Sequence, residues 1–200
     1  MRRLLALLFE VNQLKRIPRM GWLVRGVGPA DTESVAEHTY GMALTALLLA
    51  EMVGEPVDRG RLLTMCLLHD LPETQILDLV PAAIHYLTPV AKRRAEEAAL
   101  ADLLAGLPAA EEFQALWQEF EEGTTVEGRL ARDADRLELM IQAAAYERAG
   151  WRQLDEFWQE MKKHRWEFPV SAAVFRGLVA EREGQEQDAV AGGQVSGVRK

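Results

Sequence analysis

One stretch of the chain, LLHDLPE at residues 67–73, closes the run RLLTMCLLHD with a histidine and an aspartate side by side. Leu, Met and Cys belong in a protein interior, and an ionised carboxylate there needs a partner or a metal. His69 and Asp70 therefore either sit at a helix end or hold a cation. Glu73 follows three residues after Asp70, and Asp78 stands among apolar residues in ILDLVP. Of the four histidines, His38 opens a second apolar segment, SVAEHTYGMA. Two imidazoles with a carboxylate make a ligand set for a first-row metal. Alone, His38 reads better as a core histidine bonded to a carbonyl; together with His69 and Asp70 the metal reading is the better one. Glu73 and Asp78 taken singly read equally well as a first-turn acid favoured by the helix dipole and as a loop aspartate.

Helices must position these groups, because apolar residues recur at helical spacing from end to end and strand signals are nearly absent. A first helix is expected from about Arg2 to Arg16, ending before Pro18. The loop PRMGWLVRGVGPADTE follows and carries Arg19 and Trp22. Ser34 and Glu37 form a capping box at the start of a helix reaching about Val53. That helix is apolar nearly all round, which places it at the centre. Asp58 caps the next helix, which ends at the 69–70 pair. Short links favour antiparallel neighbours, so the start of one helix faces the end of the other and His38 approaches His69. A turn starting at Pro72, helices from Thr88 and through PAAEEFQALWQEFEEG, and a long helix ending at Gly150 come next. Two more lie near 151–164 and 170–182. On the long helix Val126, Leu130, Ala134, Leu137 and Ile141 define one arc, with Asp133 beside it and Asp135 nearly opposite. Periodicity alone selects Asp133 as the buried acid.

The totals set limits. With 200 residues the chain suits one all-α domain over 1–182, followed by a flexible, Gly-rich polar tail over 183–200. A net charge of -8 excludes a nucleic acid polymer as partner, though not a single nucleotide. The lone cysteine, Cys66, fits a reducing, cytoplasmic setting. No apolar run reaches the length of a membrane span, and the amino terminus lacks a signal-peptide cleavage site. Tryptophans 117, 151, 158 and 166 read as core rather than interface.

Four ordered blocks, LKRIPRMGW, SVAEHTYGMA, LLHDLPETQILDL and ARDADRLELMIQAAAYE, resemble the HD-domain metal-dependent phosphohydrolases. More narrowly they resemble the 5'-deoxynucleotidases, including the branch called HD domain-containing protein two. The resemblance runs from about Lys15 to Tyr146. It implies an all-α HD-domain helical bundle around a buried divalent metal held by His38, His69, Asp70 and Asp135. On this point it overrules periodicity, since the family's aspartate precedes residues matched here by Glu138, Gln142, Ala143, Tyr146 and Glu147. It further implies catalytic acids at Glu73 and Asp78, with their acid and base roles open, and a second cation held by these two and the carbonyl of Leu79. Arg19 would orient the phosphate, its plainer reading being a solvated loop arginine, while Trp22 reads equally well as flanking the sugar or base and as a loop tryptophan covering the core. In bacterial deoxynucleotidases a tryptophan directly follows the arginine; here Met20 does, which loosens the expected preference for deoxyribose. The implied substrate is a nucleoside 5'-monophosphate and the implied assembly a homodimer. The donor set suits Mn, Co, Fe or Zn better than Mg.

Three rivals stay open at this level. One is an HD enzyme acting on another phosphate ester or a cyclic nucleotide, weakened by the absence of a Gly-Tyr-Pro motif. Another is a di-iron oxygenase, which needs further histidines between the HD pair and the last aspartate, where only His85 stands. The last is a non-catalytic helical protein stapled by metal.

Overall fold

The computed structural model of the chain describes residues 1–84 and 86–195. His85 and residues 196–200 lie outside them. Among the described residues eleven α-helices run in order: α1 (Arg2–Val11), α2 (Met20–Leu23), α3 (Val35–Ala50), α4 (Arg59–Leu68), α5 (Glu73–Ile76), α6 (Pro81–Ile84), α7 (Pro89–Leu104), α8 (Ala110–Glu122), α9 (Val126–Arg148), α10 (Asp155–Met161) and α11 (Pro169–Val195). A 3-10 turn over Asn12–Arg16 extends α1, so the first helical stretch ends where Pro18 requires. No strand occurs among the described residues, only a single bridge between Pro18 and Ser34. The architecture is the all-α one expected.

Caps set the starts. Ser34 Oγ accepts the Glu37 N–H while the Glu37 carboxylate accepts the Ser34 N–H, a complete capping box. Asp58 accepts from the N–H groups of Gly60 and Arg61 to open α4, and Thr88 from Ala91 to open α7, with Pro89 at the first helical position. Left-handed Gly123 ends α8.

Helix α3 lies at the centre, packed along α9 and α4, and α8 closes over α4 and α9. Met42, Leu62, Met65, Leu130, Leu137 and Met140 fill the space between them and are fully buried. The loop after Pro18 is tied back onto the start of α3. Arg19 N–H donates to Glu33 O at 2.9 Å and Val35 N–H to Ile17 O at 2.9 Å. Among the described residues no helix is long and apolar enough to cross a membrane.

Helix α11 differs from the expectation. It runs to Val195, well past 182, because Ala, Glu, Gln and Arg in AEREGQEQDAVA are good helix formers although they carry no apolar period.

Candidate metal centre

Three helices deliver the candidate groups to one place. His38 enters from the first turn of α3, His69 caps the C-terminus of α4 with Asp70 next to it, and Asp135 projects from the middle of α9. The Nε2 atoms of His38 and His69 face each other at 3.3 Å. Asp135 Oδ1 lies 3.1 Å from His38 Nε2. Asp70 Oδ2 lies 2.9 Å from His69 Nε2 and 3.8 Å from His38 Nε2. Donor atoms of His38, His69 and Asp135 all fall within 4.8 Å of one another, a spacing at which they could hold a metal ion.

Both imidazoles are oriented from behind. His69 Nδ1 sits 2.8 Å from the carbonyl of Cys66, and His38 Nδ1 sits 2.5 Å from Oε2 of Glu138. With each Nδ1 engaged, each Nε2 is left for the space between the rings. Trp117 adds a clamp by donating its indole N–H to the carbonyl of His69 at 3.0 Å.

Electrostatics test whether this donor set fits a cation. Burial and Arg19 depress the His38 pKa, yet Asp135 and Glu138 lift it to about 10. The surroundings thus hold a positive charge at an imidazole that burial alone would keep neutral. Asp135 is half-buried, which opposes ionisation, but His38 and His69 hold its carboxyl down at about 2. Asp70 is likewise held well below the usual carboxylate range, against burial, by His69, Arg19 and His38. A pair of nitrogens and ionised carboxylates that together bind positive charge suits a divalent ion.

Arg19 completes the cluster from the loop ahead of α2. Its guanidinium donates to Asp70 Oδ2 at 3.0 Å. Burial works against its charge, but Asp70, Asp78, Asp135 and Glu73 together raise its pKa above the ordinary value. Glu73 begins α5, and its Oε2 is buried without a hydrogen-bond partner. Burial first, and then Asp70 and Asp78, push its pKa up to about 9. Asp78 is also raised, mainly by burial, and its Oδ2 accepts the Met20 N–H at 2.6 Å. Between the two acids Leu77 holds φ 63 and ψ 167, a region nearly reserved for glycine. Such strain collects where surrounding structure over-determines a functional segment.

Of the expected site residues, the structure brings together His38, His69, Asp70, Asp135 and Arg19, with Glu73 and Asp78 in the same electrostatic neighbourhood. It does not bring Trp22 to an open cleft. That side chain is 1% exposed, packed edge-on against Tyr146 at 5.2 Å, with its indole N–H on Glu33 Oε1 at 2.7 Å. A large apolar ring with one donor is stable there because Glu33 satisfies the donor. Periodicity judged the burial of Asp133 correctly, but its carboxylate accepts the N–H groups of Glu167 and Phe168 at 3.2 and 3.0 Å, just ahead of α11. His85 lies outside the described residues. Glu138 and Glu33 were missed as chemistry. For Glu138 a signal existed, since it follows Asp135 by three residues and so shares its helix face.

Comparison with known proteins agrees with the geometry. The family model described as HD domain matches residues 11–172. The 5'-deoxynucleotidase HDDC2 of Bos taurus is 36% identical over 148 residues, 73% of this chain and 69% of that protein. A solved structure of a conserved hypothetical protein from Pyrococcus furiosus is 37% identical with a TM-score of 0.70, covering 88% of this chain and 98% of that one. Another, described as a predicted metal-dependent phosphohydrolase from Magnetospirillum magnetotacticum, is 28% identical with a TM-score of 0.66, covering 90% and 91%. With the match extending from the end of α1 into α11 and spanning every helix that supplies the cluster, this chain belongs to the HD-domain family.

Proposed function

We propose that the chain is a metal-dependent 5'-nucleotidase, hydrolysing (deoxy)ribonucleoside 5'-monophosphates to nucleoside and phosphate. The observation that carries this is the pair of imidazole Nε2 atoms 3.3 Å apart, flanked by Asp70 and Asp135 and joined through Asp70 to a half-buried arginine. Relatives named 5'-deoxynucleotidase over most of the chain support the substrate class.

In this reading His38, His69, Asp70 and Asp135 hold a divalent cation, with Mn, Co, Fe or Zn preferred to Mg by the two imidazoles. A cation bound by these residues would supply Lewis-acid polarisation of a phosphoryl oxygen and acidification of water. Arg19 exchanges part of its contact with Asp70 for phosphate oxygens, which its planar fork matches. Positioning and charge are most of what phosphoryl transfer asks of a protein. Burial and the neighbouring Asp70 and Asp78 favour the protonated form of Glu73, whose Oε2 has no hydrogen-bond partner, so with a single cation at the site it would protonate the departing 5'-oxygen. Asp78 fixes the Arg19 segment through the Met20 N–H. A second cation would draw on Glu73, Asp78 and the carbonyl of Leu79. The single buried Cys66 fits a cytoplasmic setting.

The working form in this proposal is a homodimer. Helix α3 buries one face against α9 yet exposes Tyr40, Leu44 and Leu48, one turn apart, on the other. Leu8 of α1 and Leu67 of α4 extend this apolar face, since both are exposed and line one groove with Tyr40. A helix apolar on both sides needs cover on both.

The test is phosphate release from paired ribo- and deoxyribonucleoside 5'-monophosphates, with and without chelator. Release that survives complete metal removal, or none from any member of the panel with metal restored, would refute the proposal.

A further inference from the structure

Behind His38, on the side of its Nδ1, lies a buried cluster of carboxylates. Glu138, one helical turn past Asp135, places Oε2 against His38 Nδ1. Helix α3 makes room for it at Gly41: a Cβ there would meet Glu138 Oε1 at 2.7 Å and Cγ at 2.9 Å. Glu33 brings a second buried carboxylate, and donor atoms of Glu33, His38 and Glu138 fall within 4.8 Å of one another. That spacing alone would admit a metal. The ring chemistry argues otherwise, since an Nδ1 bonded to a carboxylate carries a proton and has no lone pair to offer.

Glu33 also reaches the opposite side of the site. Its carbonyl accepts the Arg19 N–H at 2.9 Å, its side chain accepts the Trp22 indole N–H, and its own N–H donates to Tyr146 Oη at 2.8 Å. One residue therefore links the segment bearing Arg19 to the cluster behind His38, where its carboxylate lies within 4.8 Å of donor atoms of His38 and Glu138.

We propose that Glu138 is a positioning residue which, seated by Gly41, keeps a proton on His38 Nδ1 and so presents Nε2 as the metal-binding atom, with Glu33 tying this cluster to the Arg19 segment. The inference rests on the proposed cation site but not on the identity of the substrate. Carboxylate partners of ligating histidines fix ring orientation and tautomer, and their loss typically costs 10- to 100-fold in metal affinity.

Two variants of the full chain test it, Glu138→Gln, which keeps volume, and Gly41→Ala, which keeps the carboxylate but displaces it. The readouts are Mn2+ affinity by calorimetry and the His38 Nδ1 proton by 15N-resolved NMR of the metal-free protein. The expected result is a loss of Mn2+ affinity of roughly 10- to 100-fold in both variants. The far-downfield Nδ1 proton of the parent should move upfield or vanish in both. Parent-like Mn2+ affinity in Glu138→Gln together with an unshifted Nδ1 proton would overturn the inference. If the parent bound no Mn2+, the proposed function would fail, and the NMR signal would decide the role of Glu138 by itself: present only in the parent it upholds the role, absent from the parent it refutes it.

Discussion

Asp133 and Asp135 stand two residues apart on α9 and should fail in opposite ways. Asp133→Ala removes a fully buried carboxylate that accepts two backbone N–H groups, of Glu167 and Phe168, at the entry to α11. A hydrogen bond to a charged group contributes about 1.5–3 kcal/mol. The Phe168 donor is buried and loses the full amount, whereas the Glu167 donor retains some access to water, so the loss should be about 3–4 kcal/mol. With a urea slope of roughly 2 kcal/mol/M, the midpoint should fall by about 1.5–2 M. Asp135→Asn, by contrast, keeps the shape of a side chain whose neighbours are His38 and the other carboxylates. It should leave the urea midpoint near the parent value while abolishing retention of a divalent ion. Urea titration followed by tryptophan fluorescence, paired with metal analysis of dialysed protein, measures both. A midpoint shift below about 0.5 M for Asp133→Ala would show that its two bonds are not stabilising as reasoned. Full metal retention by Asp135→Asn would remove α9 from the metal centre.

Arg19→Ala should lower kcat/KM for a nucleoside monophosphate by roughly 10- to 100-fold, the loss of one charge-assisted contact, with metal content unchanged; parent-like kinetics would exclude a phosphate contact. Tyr40→Glu combined with Leu48→Glu, both on the exposed side of α3, should convert a dimer to monomer in light scattering. A parent that is already monomeric would place the apolar face to another use. Burial first, and then Arg136, lower the pKa of His164 below its ordinary 6.5. The unfolded chain therefore takes up this proton first, so the stability attached to neutral His164 is present above pH 6.5 and lost as pH falls below it. His164→Gln should flatten the drop in urea midpoint between pH 7.5 and 5.5, and an unchanged drop would assign it to other groups.

The approach of His38 to His69 followed from caps and lengths: a capping box at Ser34, an Asp58 cap, and a short link that forces α3 and α4 antiparallel. Trp22 went the other way. Of its two readings, beside the substrate or over the core, the structure gives the core, because its partners Glu33 and Tyr146 are eleven or more residues away and no local pattern connects them. The extension of α11 was hidden for a different reason. Its polar composition has no apolar period, and propensity is the only signal left.

By itself, the order of residues determined which segments become helices and where each one starts, because caps, prolines and apolar periods act within a few residues along the chain. It also determined that one imidazole and one carboxylate must close an apolar run at 69–70. Periodicity could not choose Asp135 over Asp133; the resemblance pointed to Asp135, and what each acid touches was decided by the tertiary structure. Helical spacing reports only which side of α9 is apolar: it finds the fully buried Asp133 but not the half-buried Asp135, whose partners are other polar side chains. What separates them is the element packed against each, α3 and α4 for Asp135 and the start of α11 for Asp133, and that proximity exists only once the bundle has closed.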